Sequence, residues 1–456
     1  MKKQNEASVN GIRTVFSFLI ALLHTAAFFC LVFFRYNRQF EAPLYTGGYL
    51  IVAMYAAGIG GLLLIMGGFR IGIERMFNLA LAHGISIVIV DVISYFELSL
   101  IYRAFLPVLP IAIMFAAQLA ASALWIYIGT LVWRKNVAVK NMILVYGDKN
   151  AEQLVYTVLA REDICRIQES VCYSPGDDLS AVEARILQYD TVLVYRIESA
   201  VRNDLLKFCY QNDIEVYLPP RISDIMIRGA SEVNTFDSPM ISCRVCTLSP
   251  EQRFVKRAFD LTSSAIALVV LSPLFAVIAL SIKLGDRGPV LYKQKRVTEN
   301  GRVFEIYKFR SMIVDAEKNG AVKATEHDAR VTPVGRVLRA LRLDELPQLV
   351  NILKGDMSVV GPRPERVENH EEYCAKLPEF VFRTKVKAGL TGYAQIMGKY
   401  NTSPYDKLLL DLIYIQKFSF FLDLRLILQT IKILFVREST EGFEQPDNGK
   451  DGNDYG

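Results

Sequence analysis

The sequence lacks the cysteine pattern of a disulfide-stabilised or zinc-binding protein. Its seven cysteines among 456 residues are odd in number and scattered along the chain. Cys243 and Cys246 form a lone Cys-x-x-Cys pair, and no second pair of metal ligands follows it. A secreted disulfide framework is therefore not expected, and a reducing compartment fits better.

Low-complexity character is also missing. The chain has 28 glycines and 17 prolines, which is an ordinary load and argues against a collagenous or disordered protein. What it has in excess is apolar residues, at 52% of the total with a mean hydropathy of +0.25. The length suggests about three structural units, and the hydropathy indicates that part of the chain lies in a membrane.

Four apolar stretches occur in the first third of the chain. Each has about the 20 residues that a helix needs to cross the hydrocarbon core, so we expect a four-helix transmembrane bundle over residues 1–140. The flanks on one side carry eight Lys and Arg residues against three on the other, which places both ends of the bundle in the cytoplasm. The stretches are Thr14 to Phe34, Gly48 to Met66, Leu79 to Leu100 and Leu106 to Trp133.

Three ionisable side chains lie at membrane depth in this bundle. His24, His83 and Asp91 fit either a functional site or interhelical hydrogen bonding, and the second is the simpler interpretation.

Residues 141–250 have the sequence pattern of a Rossmann-like α/β module. Buried parallel strands are predicted at Met142 to Tyr146, Thr191 to Tyr195 and Ile214 to Leu218, with a helix over Arg202 to Tyr210. The first turn, Gly147 to Asn150, lacks the second and third glycines of a dinucleotide site. A structural or regulatory role therefore fits better than nucleotide binding.

A fifth apolar segment, Leu261 to Ile282, is long enough to span a membrane. Ser272 and Pro273 lie at its centre, and basic residues flank both of its ends. We interpret residues 258–283 as a proline-broken, re-entrant helix that returns to the face from which it entered.

Positive charge is concentrated in residues 256–436, which hold 28 Lys and Arg against 19 Asp and Glu. A basic domain tethered to a bilayer is expected to bind anionic lipid and phosphate substrates and not nucleic acid. Phe418 to Val436 fits either an interfacial helix or a core helix. Residues 437–456 are expected to be a disordered tail.

The densest group of reactive residues runs from Arg339 to Glu365. Asp344 is a suitable N-cap for a helix through Leu353, and the neighbouring Glu345 completes a carboxylate pair in an Arg-rich setting. Free backbone donors and guanidinium groups there would form a phosphate cradle, and the two carboxylates would bind Mg²⁺ or supply a nucleophile. A capped helix with a surface salt bridge explains the spacing equally well.

A set of ordered motifs over residues 251–436 resembles the bacterial sugar transferases, the monotopic polyprenyl-phosphate phosphoglycosyl transferases. The upstream bundle and α/β module resemble the long, membrane-spanning members that start exopolysaccharide, capsule or O-antigen units. The motifs are Lys256 to Asp260, Ser272-Pro273, Tyr307 to Met312, Leu343 to Leu349, Lys354 to Ser358, Gly361 to Pro364 and Gly389 to Gln395.

The resemblance implies a mainly α (α+β) catalytic domain with a re-entrant helix and a two-step reaction. Asp344 would attack a UDP-sugar, releasing UMP, and undecaprenyl phosphate would then take the sugar phosphate. Glu345 would assist through Mg²⁺ or proton handling, with both carboxylates as metal ligands. Substrate contacts would come from Arg363, Arg339, Lys308, Arg310, Asp411 and, where the family often has Arg, Lys399.

The same resemblance implies a multi-pass protein of the bacterial inner membrane with its catalytic domain on the cytoplasmic face. A homodimer and downstream glycosyltransferases are possible partners, and the sugar is not identified.

Other functions fit the sequence less well. A membrane-bound nucleotide-sugar dehydratase needs a complete glycine-rich turn and a Tyr-x-x-x-Lys pair, and a conventional metal-dependent glycosyltransferase needs Asp-x-Asp; none of these is present. A membrane scaffold without catalytic activity is the remaining alternative.

Overall fold

The computed structural model describes residues 2–39, 46–137, 139–147, 165–233, 238, 240–243, 248–314, 328, 330–398 and 403–434. The chain divides into two compact units, Met1–Pro219 and Pro220–Gly456. The predicted boundary at residue 250 lies inside the second unit, because Ile225 packs into the core of that unit. The sequence of a short amphipathic segment shows that one of its faces is buried, but it does not show which core that face packs against.

The first unit begins with four long apolar helices, as predicted. By length and composition, all four are able to cross a membrane, and a fifth such helix, Pro250–Gly285, lies in the second unit. The prediction of a membrane protein is confirmed. The helices are α1 (Lys2–Cys30, continuing as a π-helix over Leu31–Tyr36 and a turn over Asn37–Gln39), α2 (Thr46–Met66), α3 (Met76–Ile101) and α4 (Val108–Asn136).

Buried polar side chains connect these helices. The Tyr55 hydroxyl on α2 donates to Asp91 Oδ1 on α3 at 2.8 Å, and Gln118 Nε2 on α4 donates to the Tyr55 hydroxyl at 2.8 Å. His24 Nε2 on α1 lies 3.2 Å from Ser122 Oγ on α4. Bonds of this kind fix the register of apolar helices, which agrees with the interhelical interpretation of His24 and Asp91.

A four-stranded parallel sheet follows the bundle in the same unit. Its strand order is β2-β1-β3-β4, with helices α5 (Leu179–Ile186) and α6 (Ser199–Gln211) in the connections. The parallel α/β architecture is confirmed, and β2, which alternates polar and apolar residues, was not predicted. The strands are β1 (Lys140–Tyr146), β2 (Cys165–Cys172), β3 (Thr191–Tyr195) and β4 (Glu215–Tyr217).

Gly147 ends β1 at the point where the strand order reverses. Its amide donates to the Tyr195 carbonyl at 3.2 Å, and a Cβ at this position would collide with the Arg196 carbonyl oxygen. The glycine is therefore explained by close packing of two strand ends. The rest of the predicted turn, residues 148–150, lies outside the described residues.

The second unit is mainly helical with small sheets. Its hairpins are β5–β6 and β7–β8, and β9 pairs in parallel with β10. The elements are α7 (Ile222–Arg228), β5 (Ser231–Val233), β6 (Met240–Ser242), α8 (Pro250–Asp286), β7 (Leu291–Val297), β8 (Val303–Phe309), α9 (Pro333–Ala340), α10 (Gln348–Lys354), β9 (Ser358–Val360), α11 (Val367–Lys376), β10 (Gly389–Thr391), α12 (Tyr393–Met397), α13 (Pro404–Gln416) and α14 (Phe420–Leu434).

Helix α8 continues through the predicted break. Pro273 lies inside the helix and has no amide hydrogen for the Val269 carbonyl, which is four residues earlier. The Ser272 hydroxyl donates to that carbonyl instead, at 2.8 Å. The Ser-Pro pair therefore keeps the helix continuous in a setting where water is not available to replace the lost bond.

The first turns of α8 are attached to the rest of the unit by charged side chains. Lys256 Nζ donates to Asp423 Oδ2 on α14 at 2.5 Å. Arg257 donates to two C-terminal carbonyls of α10 at 2.6 and 2.8 Å. Asp260 Oδ1 accepts from the Val359 amide of β9 at 2.9 Å. The Lys256 to Asp260 motif thus joins the membrane helix to the elements that carry the site.

Helix α14 covers most of the segment Phe418 to Val436, which the sequence allowed to be either an interfacial helix or a core helix. Asp423 and Leu426 are buried, whereas Phe421 is exposed. One side of the helix therefore packs on the core.

Candidate active site

The carboxylate pair lies in a 3-10 turn, Leu343–Glu345, between α9 and α10. Asp344 is not the N-cap predicted from the sequence, because α10 begins only at Gln348, after Pro347. The Glu345 amide donates to the Arg342 carbonyl at 3.4 Å, so the turn itself uses a donor expected to bind phosphate. The Glu345 amide is therefore occupied within the turn and not directed at a phosphate.

Glu345 is held by two cations. Its Oε1 accepts from Lys308 Nζ at 2.9 Å and from Arg363 Nη2 at 2.8 Å. Burial alone would raise the pKa of this carboxyl, but the charges of Arg363 and Lys308 and their hydrogen bonds hold it well below its usual range. Glu345 is consequently ionised and fixed in position.

Asp344 is in a different state. Burial raises the pKa of its carboxyl and the charge of Glu345 adds to this, against the opposing charges of Lys308, Arg339 and Arg363. Among the described residues, no side chain donates a hydrogen bond to the Asp344 carboxylate. It is therefore a partly desolvated carboxylate beside three cations with its oxygens available for reaction.

Strand β8 brings Lys308 to the pair, and Asn351 of α10 fixes the strand. The Asn351 side chain is fully buried, accepts from the Tyr307 amide at 2.9 Å and donates to the Glu305 carbonyl at 2.7 Å. Burial lowers the pKa of Lys308, and Glu345 opposes that change. Asn351 was not predicted from the sequence, where its signal was a polar residue on the apolar face of a short helix.

Arg363 reaches the pair from the Gly361 to Pro364 motif. A Cβ at Gly361 would collide with the Lys387 carbonyl, and one at Gly392 would collide with the Gly361 carbonyl. The two glycine motifs thus pack backbone against backbone, which no larger residue permits. This packing explains why glycines recur around Arg363.

The other predicted residues have different partners in the structure. Arg339 Nε donates to Ser311 Oγ at 2.9 Å, and its charge lowers the pKa of Asp344. Arg310 is buried, with its guanidinium over Gly288. Asp411 is also buried and accepts from Arg383, and Lys399 lies outside the described residues. Lys308, Arg339 and Arg363 are therefore the cations brought to the carboxylates.

The carboxylates of the site are also candidate ligands for Mg²⁺. No cluster of three or more His, Cys, Asp or Glu side chains able to hold a metal ion occurs among the described residues. Mg²⁺ commonly takes one or two carboxylates and completes its shell with water and substrate phosphates. The available carboxylate of Asp344, next to Glu345, fits that mode of binding.

Comparisons with known proteins bear on what this site does. Residues 251–437 match the bacterial sugar transferase family. The chain is similar to a UDP-N-acetylgalactosamine-undecaprenyl-phosphate N-acetylgalactosaminephosphotransferase of Aeromonas hydrophila, with 42% identity over 58% of this chain and 65% of the relative. It is similar to a UDP-glucose:undecaprenyl-phosphate glucose-1-phosphate transferase of Klebsiella pneumoniae, with 35% identity over 55% of this chain and 53% of the relative.

A shorter relative is matched over nearly all of its length. This is the exopolysaccharide production protein PSS of Rhizobium leguminosarum bv. phaseoli, with 40% identity over 41% of this chain and 96% of the relative. The chain spans less than two thirds of the two longer relatives. The match to the family and the coverage of the shorter relative agree with the motifs around Asp344, and the chain belongs to the bacterial sugar transferase family.

Proposed function

We propose that this protein transfers a sugar 1-phosphate from a UDP-sugar to undecaprenyl phosphate, forming undecaprenyl-diphosphate-sugar and UMP. The observation that carries the proposal is the Asp344 carboxylate, which accepts no hydrogen bond from a described side chain and lies beside Lys308, Arg339 and Arg363. A carboxylate in that setting is a nucleophile suited to phosphorus. The printed names of the two longer relatives support the substrates.

In the first step, an oxygen of Asp344 attacks the β-phosphorus of the UDP-sugar. The bond from that phosphorus to the oxygen bridging the two phosphates breaks, UMP leaves with the electron pair, and a phosphosugar-aspartyl enzyme remains. Arg363 and Lys308 stabilise the charge on the phosphoryl oxygens, because guanidinium and ammonium groups donate strong hydrogen bonds to them. Glu345 keeps both cations in place.

In the second step, a phosphate oxygen of undecaprenyl phosphate attacks the same phosphorus. The Asp344 carboxylate leaves and is regenerated, so the sugar phosphate ends on the lipid without net consumption of water. Division into two steps suits a site that receives a water-soluble donor and a membrane-bound acceptor at different times.

We propose Mg²⁺ as the cofactor, with Asp344 and Glu345 as the residues that would hold it. When bound, it neutralises charge on the donor diphosphate. Arg310 and Lys399 remain predicted substrate contacts.

We further propose that the site faces the cytoplasm of a bacterial inner membrane, where UDP-sugars are made. The excess of Lys and Arg on one side of the bundle supports this orientation. It requires α8, which is continuous, to bend at Ser272-Pro273 and return to the cytoplasmic face. We also propose that the reaction is the first membrane step of exopolysaccharide, capsule or O-antigen synthesis. A homodimer and downstream glycosyltransferases are proposed partners.

The test is transfer of label by membranes that contain the protein. Membranes are incubated with Mg²⁺, undecaprenyl phosphate and each of several radiolabelled UDP-sugars, and lipid-linked sugar is extracted and counted. We expect one or a few sugars to be transferred, and Asp344→Asn to abolish transfer.

Asp204→Asn is the matched control, because Asp204 pairs with Lys207 on the exposed surface of α6. This variant should keep wild-type activity. Normal transfer by Asp344→Asn would contradict the nucleophile assignment, and absence of transfer by the wild type with every UDP-sugar would favour the scaffold alternative.

A further inference from the structure

Arg383 lies behind Arg363 and connects it to the core. The Arg383 side chain is 4% exposed and belongs to the 3-10 segment Pro378–Lys385. Its Nε donates to Asp411 Oδ2 at 2.9 Å, and Nη2 lies 2.8 Å from the same oxygen as part of the ion pair. Nη2 also donates to the carbonyl of Arg363 at 2.9 Å. One planar guanidinium therefore joins a buried carboxylate to the backbone of the residue that contacts Glu345.

The orientation of Arg383 is fixed from two further directions. Its guanidinium lies 4.9 Å from the centre of the Phe380 ring. Its Nη1 lies 3.5 Å from Glu365 Oε1, and Lys407 pairs with the same oxygen at 3.7 Å. A guanidinium with this many fixed neighbours loses little freedom when it bonds the Arg363 carbonyl.

The backbone around Arg363 is held at nearly every residue. The Gly361 amide donates to the Thr391 carbonyl at 2.8 Å, and the Pro362 carbonyl accepts from the Gly389 amide at 2.9 Å. The next two carbonyls, of Arg363 and Pro364, accept from side chains. Pro364 follows Arg363 and restricts its backbone, so the position of the Arg363 carbonyl determines where its side chain starts.

The contacts form one continuous path from the core to the carboxylate pair. Asp411 holds Arg383, Arg383 holds the Arg363 carbonyl, and Arg363 Nη2 donates to Glu345 Oε1 at 2.8 Å. Asp411 itself is 1% exposed, and its Oδ2 is the oxygen that lies nearest both Nε and Nη2 of Arg383. Burying an ion pair in a core adds little net stability, so a positional role is the better explanation for its presence.

We propose that Arg383, oriented by Asp411, is a positioning residue that sets the place of Arg363 beside the carboxylate pair. Asp411 then acts through Arg383 and does not contact a metal ion or the nucleotide. The catalytic consequence rests on the proposed function, because Arg363 is there assigned to the donor phosphates.

The first test is a double-mutant cycle on the first half-reaction, UMP release without lipid acceptor. Arg383→Lys keeps a positive charge for Asp411 but loses the fork that serves both acceptors, so we expect kcat/KM to fall at least tenfold. In an Arg363→Ala background the same change should cost less than threefold, because its target is already absent. Tenfold losses that multiply in the double variant would overturn the proposal.

The matched control is Arg302→Lys, which alters an Arg that is 58% exposed and pairs with Asp356 alone among the described contacts. It should leave kcat/KM unchanged in both backgrounds. Asp411→Asn should show the same non-additivity with Arg363→Ala as Arg383→Lys does.

The second test does not depend on turnover. Amide hydrogen exchange reports the Val297 amide, which donates to the Glu365 carbonyl at 3.1 Å, and the Gly389 amide. Arg383→Lys should speed exchange at both, and unchanged exchange would overturn the proposal. If the wild type transfers no sugar, the proposed function fails, and the exchange result decides the positioning claim alone.

Discussion

The acid limb of the pH profile should move in opposite directions when the two neighbours of Asp344 are neutralised. The charge of Glu345 raises the pKa of Asp344, and the charge of Lys308 lowers it. Because the nucleophile must be ionised, the rate falls as the pH drops through the pKa of Asp344. Glu345→Gln should shift this limb to lower pH, and Lys308→Met should shift it to higher pH.

The size of each shift follows from Coulomb's law. Two unit charges about 6 Å apart interact by ~2.8 kcal/mol at an effective dielectric constant of about 20, which corresponds to about two pH units. The Lys308 and Glu345 side chains are 19% and 13% exposed, so water screens part of this interaction. We therefore expect each limb to move by about one pH unit.

Secondary effects act in the same directions. Removal of Glu345 leaves Lys308 and Arg363 without their shared partner, and their charges then favour ionised Asp344 more strongly. Removal of Lys308 leaves the charge of Glu345 less neutralised, and this charge then disfavours ionised Asp344.

The assay is single-turnover release of UMP from a UDP-sugar at saturating Mg²⁺, from about pH 4 to 9, without lipid acceptor. Omission of the acceptor removes its phosphate as a titrating group, and Asp204→Asn serves as the charge control. Limbs that move in the same direction, or that do not move, would refute the assignment of Asp344 as the titrating nucleophile.

Three further predictions concern the fold. Ser272→Ala should lower the free energy of unfolding by about 1 kcal/mol in lipid nanodiscs, because a carbonyl in α8 loses its donor; Ser281→Ala, whose acceptor keeps its backbone partner, should cost less than half as much. Gly361→Ala should cost about 3 kcal/mol through backbone collision, whereas Gly285→Ala, where a Cβ meets nothing within 4 Å, should not destabilise the protein. Finally, Lys376→Cys should react with an impermeant maleimide only in opened cells if α8 is re-entrant, and extra labelling of intact cells over the parent chain contradicts that path.

The long apolar helices and the buried strands were predictable because a single strong period or run defines each of them. The four-helix bundle and β1, β3 and β4 appear where apolar residues concentrate. Strand β2 was missed because its alternating polar residues give no such run. The continuity of α8 was also missed, since it depends on one hydroxyl of Ser272 that replaces a bond lost at Pro273.

At the site, the sequence predicted which charged residues lie around the carboxylate pair better than it predicted what each one contacts. Lys308, Arg339 and Arg363 were predicted from motifs and do lie around the carboxylate pair. The distinction between a held Glu345 and an available Asp344 requires three segments far apart in sequence to meet. Arg383 and Asn351 were missed for the same reason, because each bonds groups on distant segments, among them backbone atoms, and no motif displays such contacts.

The most direct test of the central claim is detection of the covalent intermediate. The purified protein is mixed with the UDP-sugar it uses and no lipid acceptor, quenched within one turnover, digested and analysed by mass spectrometry. We expect a hexose phosphate or N-acetylhexosamine phosphate adduct on Asp344 in amounts equal to the UMP released, and we expect it to disappear when undecaprenyl phosphate is added. Release of UMP only when the lipid is present, with no adduct on Asp344, would contradict the central claim.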